Sequence, residues 1–142
     1  MIDTTLRHSS HKVGMNYWHI EWCTKYRYNM MQKPGLKNLV QAAIRKSATE
    51  HRIKIHILMV LPNHIHMLVT LPNEMTESKA AMLLKGRSAY LIFRNREHVR
   101  IRYPKGHFWA PSYMAVTVGY NDLDSMTEYI ENQELHHGLA SA

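Results

Sequence analysis

Alternating or β-rich runs predict strands at residues 17–23, 54–60 and 64–71, and a last strand within residues 108–119. Pro62 and Asn63 interrupt the pattern between the second and third of these runs. In the first run, period-two alternation divides the side chains between two faces. One face receives Trp18, Ile20 and Trp22, and the other receives Tyr17, His19, Glu21 and Cys23.

Apolar residues spaced three and four apart predict helices between these strands. The first begins near Leu36, after the Pro34-Gly35 break, and the second covers about residues 77–95 with Thr76 as its cap. Residues 96–107 are rich in arginine and are predicted to form a basic loop. A final helix, capped by Asn121 or Asp122, is expected to reach about His136.

The predicted order is βαββαβ followed by one helix. We therefore expect an α+β fold, with a ferredoxin-like or RRM-like antiparallel sheet, two helices on one face and an extra C-terminal helix. Residues 1–15 are polar and are predicted to be a flexible arm, and residues 16–142 a single domain. The final helix has no place in the two-layer arrangement, so it is free to lie across the open face of the sheet.

The third predicted strand places two histidines on that open face. Ile65, Met67, Val69 and Leu71 point to the helices, whereas His64, His66, Leu68 and Thr70 point away. Imidazoles two residues apart on a strand have Cα atoms about 7 Å apart and can share one metal ion. Two histidines bonded only to backbone or water would give the same pattern, since a metal site needs three or more ligands.

The composition indicates which kind of partner the protein binds and where in the cell it is located. The chain has 142 residues, 18 Lys and Arg against 11 Asp and Glu, and a net charge of +7, which suggests a nucleic-acid partner. Its one cysteine, Cys23, excludes an internal disulfide and a cysteine-based zinc site. We expect no membrane span and a cytoplasmic location, because no apolar run of sufficient length and no signal-peptide pattern occur.

The last predicted helix offers two chemically suitable groups, Tyr129 and Gln133, four residues apart and therefore on one helical face. A phenol can act as a nucleophile and an amide oxygen can ligate a hard cation. The same spacing is also common on ordinary amphipathic helices.

Five segments in this order resemble the single-tyrosine HUH transposases of the IS-two-hundred/IS-six-hundred-and-five group (TnpA-like). They are WHIEWCTKYRY, LPNHIHMLV, LLKGRSAYLIF, FWAPSYMAVTVG and YIENQ, within residues 16–134. The resemblance implies that His64, His66 and Gln133 bind a divalent metal, Mg²⁺ with Mn²⁺ as a substitute, and that Tyr129 is the nucleophile. Asn63 departs from the Asp of many relatives, although Asn occurs in the related transposases of repeated extragenic palindromes.

By the same resemblance, the chain is expected to be a metal-dependent transposase that acts as a homodimer on single-stranded DNA with hairpin ends. A covalent 5′-phosphotyrosine would link cleavage to rejoining, and no nucleotide cofactor is expected because no Walker-type glycine loop occurs. Whether Tyr129 would serve its own chain or the partner stays open.

Basic and aromatic residues suggest where DNA binds. Lys25, Tyr26 and Arg27 follow the first strand, and Lys85 and Arg87 lie on the second predicted helix. Lysine and arginine neutralise phosphates, and tyrosine stacks on unpaired bases. Gly86 between the latter two is explained equally well by close approach of DNA or by close helix packing.

Three other functions are alternatives to the transposase interpretation. A domesticated HUH nuclease acting on host palindromes would use the same chemistry. A non-catalytic RRM-like module would display aromatics on the open sheet face, where this chain has His64 and His66. A structural metal protein would need the histidines for folding alone.

Overall fold

The computed structural model describes residues 16–119, 128 and 130–133. Its regular elements within residues 16–119 are four strands and two α-helices. The strands are β1 (Tyr17–Cys23), β2 (Lys54–Val60), β3 (His64–Thr70) and β4 (Met114–Thr117). The helices are α1 (Pro34–Glu50) and α2 (Glu77–Asn95).

The strands form one antiparallel sheet in the order β2-β3-β1-β4. This is the arrangement that the βαββαβ pattern predicts, so the predicted α+β, ferredoxin-like fold is confirmed. β1 and β3 are central neighbours, and β2 and β4 form the edges. Side chains of β1 and β3, which are far apart in the sequence, therefore meet in the middle of the sheet.

The main core lies between the sheet and the two helices. Its large buried members include Ile20 and Trp22 of β1, Ile65, Met67 and Val69 of β3, Val40 and Ile44 of α1, and Leu84 and Ile92 of α2. Burying each such side chain contributes about 1.5–3 kcal/mol before entropy is counted. The predicted division of β1 and β3 into helix-facing and open faces is confirmed.

A second apolar cluster covers part of the open face. It contains Tyr17, Met59, Leu61, Leu68, Val118 and Ile130. Ile130 is fully buried there, and residues 128 and 130–133 are helical. Ile130, within the described helical residues, thus packs on the open face, as expected for the final helix. The rest of that helix, and the predicted arm at residues 1–15, lie outside the described residues.

Strand β4 (Met114–Thr117) lies within the segment 108–119 that was predicted to hold the last strand. Before it, Phe108 and Trp109 are buried in the main core, and Pro111 has no N–H to donate to a ladder. One element differs from its prediction. Within the predicted basic loop, Glu97–Ile101 form a 3₁₀ helix.

Helix α2 begins where its predicted cap lies. The Thr76 hydroxyl accepts a hydrogen bond from the Lys79 N–H at 3.1 Å, which satisfies one of the free donors of the first turn. Neither α1 nor α2 is long and apolar enough to cross a membrane, and the same holds for the other described helical residues.

Candidate active site

The antiparallel register between β1 and β3 places Glu21 directly opposite His66, and Cys23 opposite His64. Glu21 Oε2 lies 2.8 Å from His66 Nδ1, within hydrogen-bond distance. Paired residues across a ladder share one face of the sheet, here the open face. The contact between Glu21 and His66 therefore follows from strand pairing alone.

His19 joins this pair from the same strand as Glu21. Its Nε2 lies 3.2 Å from His66 Nδ1 and 3.8 Å from Glu21 Oε2, and its ring stacks on that of His66 at 5.4 Å between centroids. The three ligand atoms lie within 4.8 Å of one another. Two imidazoles and a carboxylate at this spacing form a donor set that suits a divalent cation such as Mn²⁺.

His64 lies beside the trio, on β3. Its ring centroid is 4.9 Å from that of His66, and its Nδ1 is 2.7 Å from Asn63 Oδ1. Both histidines of the pair thus have Nδ1 next to a side-chain oxygen. Where Nδ1 carries the proton, it donates to that oxygen and Nε2 becomes the ligating nitrogen, the usual way in which a neighbouring group orients a metal-binding histidine.

Burial shifts the acid–base behaviour of this cluster. Loss of solvent lowers the pKa of His19 and raises the pKa of Glu21. Both shifts disfavour the charged form of the group in the cation-free protein. A neutral imidazole is the form that binds metal, so His19 needs no deprotonation to act as a ligand at neutral pH.

The structure brings together part of the predicted site. His64 and His66 lie side by side on β3, and Gln133 belongs to the helical residues that follow the buried Ile130. Ile130 packs in the same cluster as Leu68, which lies two residues after His66 on the same face. Tyr129 lies outside the described residues, so its predicted role stays a prediction.

Two members of the cluster, His19 and Glu21, were not predicted as site residues. The signal was present, because alternation already places both on the face opposite Trp18, Ile20 and Trp22. Alternation does not show which strand lies next to β1. Only the β1–β3 register shows that this face of β1 meets the histidine face of β3.

The predicted DNA-binding residues after β1 lie in a strained turn near the site. Lys25–Arg27 form a 3₁₀ turn in which Tyr26 and Arg27 have positive φ values of 63° and 54°. The Thr24 N–H donates to the Asn63 carbonyl at 2.9 Å, which ties this turn to the residue before His64. Tyr26 is 58% exposed and its ring stacks on Tyr103 at 6.2 Å.

The predicted DNA-binding residues on α2 already have partners within the protein. Lys85 Nζ donates to the carbonyls of Ala110 and Ser112, and burial lowers the pKa of Lys85. Arg87 donates two hydrogen bonds to the Glu50 carboxylate, at 2.9 and 3.2 Å. Contacts of either residue with DNA remain predictions.

Comparison with known proteins gives a consistent family match. Residues 12–133 match the family model described as "Transposase IS200 like". The ISDra2 transposase TnpA of Deinococcus radiodurans is 29% identical over 119 residues, which cover 82% of each chain. The transposase for insertion sequence element IS200 of Salmonella typhimurium is 28% identical over 116 residues, 82% of this chain and 75% of the relative.

Two solved structures share the fold. A transposase structure from Deinococcus radiodurans R1 superposes with a TM-score of 0.67 and 29% identity, and covers 85% of this chain and 92% of the other. A REP-associated tyrosine transposase bound to a REP hairpin gives 0.64 at 18% identity, over 89% of this chain and 70% of the other.

Proposed function

Because this chain belongs to the IS200-like transposase family, we propose that it cuts and rejoins single-stranded DNA at insertion-sequence ends through a covalent 5′-phosphotyrosine. The observation that supports this most is the cluster of His64, His66 and Glu21 on the sheet face where Ile130 is also buried. Tyr129 and Gln133 flank Ile130 in the sequence. The packing of Ile130 therefore favours their approach to the histidines.

Two imidazoles and one amide oxygen, from His64, His66 and Gln133, are ligands that fit a divalent metal. In our proposal, His64 and His66 ligate through Nε2 and Gln133 through its amide oxygen, while Asn63 and Glu21 hold the two Nδ1 atoms. When bound, the cation polarises the scissile phosphate and stabilises the charge that develops in the transition state. Mg²⁺ is the proposed ion, and the nitrogen ligands make Mn²⁺ a suitable substitute.

Tyr129 is the proposed nucleophile. A free tyrosine has a pKa of about 10, so roughly one in a thousand is ionised at neutral pH. The phenol loses its proton as its oxygen forms a bond to phosphorus. The bond from phosphorus to the 3′ oxygen breaks, and that oxygen takes up a proton and leaves as a 3′-hydroxyl. The DNA 5′ end remains attached to Tyr129.

Rejoining is the reverse reaction with a different strand. A 3′-hydroxyl attacks the phosphotyrosine, the new phosphodiester forms and the Tyr129 phenol is released. One phosphodiester replaces another at each step, so the reaction needs no nucleotide hydrolysis.

We propose single-stranded DNA with hairpin ends as the substrate. The net charge of +7 favours a polyanion, and the solved relative named above was bound to a REP hairpin. The exposed Tyr26, beside Lys25 and Arg27, provides a surface for an unpaired base. A cytoplasmic location stays a prediction.

A homodimer is also proposed. Met114 and Val116 of the edge strand β4 are exposed, and they pair with Glu21 and His19 respectively. This leaves an apolar strip at the sheet edge next to the candidate site. A second copy of the chain would remove the strip from water.

The test is incubation of labelled single-stranded DNA, taken from the DNA flanking the gene, with Mg²⁺ or Mn²⁺. The native protein should form an adduct that survives denaturing electrophoresis. Tyr129→Phe should bind the DNA and form none, whereas the matched control Tyr113→Phe should behave as the native protein. An adduct that persists in Tyr129→Phe contradicts the assignment.

A further inference from the structure

A groove of about 430 Å³ runs between α2 and residues 106–111, apart from the histidine cluster. Its floor and walls combine a basic side chain with small and aromatic residues. They include Lys85, Gly86, Ala89, Tyr90, Phe93 and Trp109. Tyr90 is 51% exposed, so an aromatic ring is available to a ligand.

Gly86 lies near the middle of α2, where glycine is one of the least favourable residues. A Cβ built on Gly86 would meet no heavy atom within 4 Å. Close packing of the helix against the rest of the described protein therefore does not require glycine here. The open surface at Gly86 leaves room for the backbone of a ligand to approach the helix closely.

The chemistry of the groove indicates an anionic ligand with a flat apolar part. Arg100 supplies positive charge and His107 a ring nitrogen for hydrogen bonding, and none of the side chains that line this groove in the described part is acidic. The guanidinium of Arg100, which lines the groove, lies 4.5 Å above the Phe93 ring. Unpaired nucleotides combine a phosphate with a flat base and match both features.

We propose that this groove binds unpaired nucleotides of the substrate strand, with the sugar-phosphate chain crossing α2 at Gly86 and a base resting against Tyr90. The proposal rests on the proposed function, since it takes single-stranded DNA as the ligand. It assigns to Lys85 a role that its charge alone does not indicate. By bonding the carbonyls of Ala110 and Ser112, Lys85 holds the second wall of the groove in place.

Gly86→Leu tests the groove, with Ala42→Leu as the matched control at an exposed position of α1. Binding of a fluorescent oligo(dT) of about 20 nucleotides is followed by anisotropy. Gly86→Leu should weaken binding by about tenfold or more, and Ala42→Leu should not change it. Gly86→Leu should keep the native melting temperature or exceed it, because leucine favours helix more than glycine does. Ala42→Leu exchanges two good helix formers and should keep a melting temperature close to the native one.

A smaller substitution separates folding from binding. Gly86→Ala should raise the melting temperature, since its Cβ meets open space, and should still weaken oligo(dT) binding. Binding by Gly86→Leu equal to that of Ala42→Leu overturns the groove proposal. An equal loss of affinity for a blunt duplex also overturns it, because the ligand would then not be unpaired.

The outcomes separate this proposal from the proposed function. If the native protein forms the Tyr129 adduct while Gly86→Leu binds normally, only the groove is refuted. If no adduct forms while Gly86→Leu loses oligo(dT) binding, the groove stands and the cleavage mechanism is refuted.

Discussion

Glu21 Oε2 lies 2.8 Å from Nδ1 of His66, on the residue directly across the β1–β3 ladder. A carboxylate in this position fixes the ring and leaves Nε2 for a metal. Glu21→Ala should therefore lower Mn²⁺ affinity by about 10–100-fold, as measured by isothermal titration calorimetry. Glu97→Ala, which removes an exposed carboxylate elsewhere, is the matched control and should leave the affinity unchanged.

The same titration identifies which histidines bind the cation. If His64 and His66 ligate through Nε2, His64→Ala should abolish binding and His19→Ala should weaken it only slightly. If His19, Glu21 and His66 hold the ion instead, His19→Ala should abolish binding and His64→Ala should weaken it only slightly. That reversed order would contradict the proposed ligand set while retaining a metal site on this face.

Asn63 tests how His64 is held. Its Oδ1 lies 2.7 Å from His64 Nδ1, so Asn63→Ala should lower Mn²⁺ affinity by about tenfold through loss of orientation. Asn63→Asp keeps an oxygen acceptor and should bind Mn²⁺ at least as tightly as the native protein. Equal losses in both variants, with native melting temperatures, would show that the contact does not orient His64.

Several features of the fold could be read from the sequence because local patterns determine them. The bounds of α2 follow from the Thr76 cap and the apolar spacing, and the faces of β1 and β3 follow from alternation. The position of His19 and Glu21 beside His66 depends on which strands pair, a non-local fact that periodicity does not contain. The segment 108–119 was predicted to hold a strand, but which four of its residues pair with β1 depends on the same non-local register.

The basic residues illustrate a second limit. The charges of Lys85 and Arg87 suggest phosphate contacts, but the fold gives Lys85 two carbonyl partners and Arg87 the Glu50 carboxylate. In contrast, the exposed Tyr26 and its positive φ place a predicted DNA residue in a strained surface turn. Charge alone does not distinguish these two situations.

Tyr26→Ala should weaken single-stranded DNA binding by about tenfold, because stacking of a base on an aromatic ring contributes about 1–3 kcal/mol. Tyr26→Phe keeps the ring and should bind as the native protein does. Anisotropy with oligo(dT) measures both, and Tyr113→Ala serves as a control at another exposed tyrosine. Unchanged binding by Tyr26→Ala would remove this residue from the DNA surface.

His56 gives the fold a dependence on pH. Burial, with a smaller effect of Lys54, lowers the pKa of His56 from 6.5 to about 4, and its Nε2 lies 2.6 Å from Thr70 Oγ1. Between pH 4 and pH 6.5, His56 binds a proton more readily in the unfolded chain than in the folded protein. This contribution to stability is therefore complete above pH 6.5 and is lost as the pH falls toward 4.

Urea unfolding at pH values above and within that window measures the effect. His56→Gln should lose less stability on acidification than the native protein, whereas the exposed-site control His98→Gln should lose as much. If the native protein and His56→Gln lose the same stability on acidification, His56 is not the source of this pH dependence.

Mass spectrometry of the covalent protein–DNA product tests the central claim most directly. After digestion with nuclease and protease, we predict that the peptide containing residues 128–133 carries a nucleotide linked through its 5′ phosphate to Tyr129, and only when a divalent metal was present. A nucleotide attached to any other residue, or a metal-treated sample that binds the cleavable strand without any linked peptide, would contradict the account.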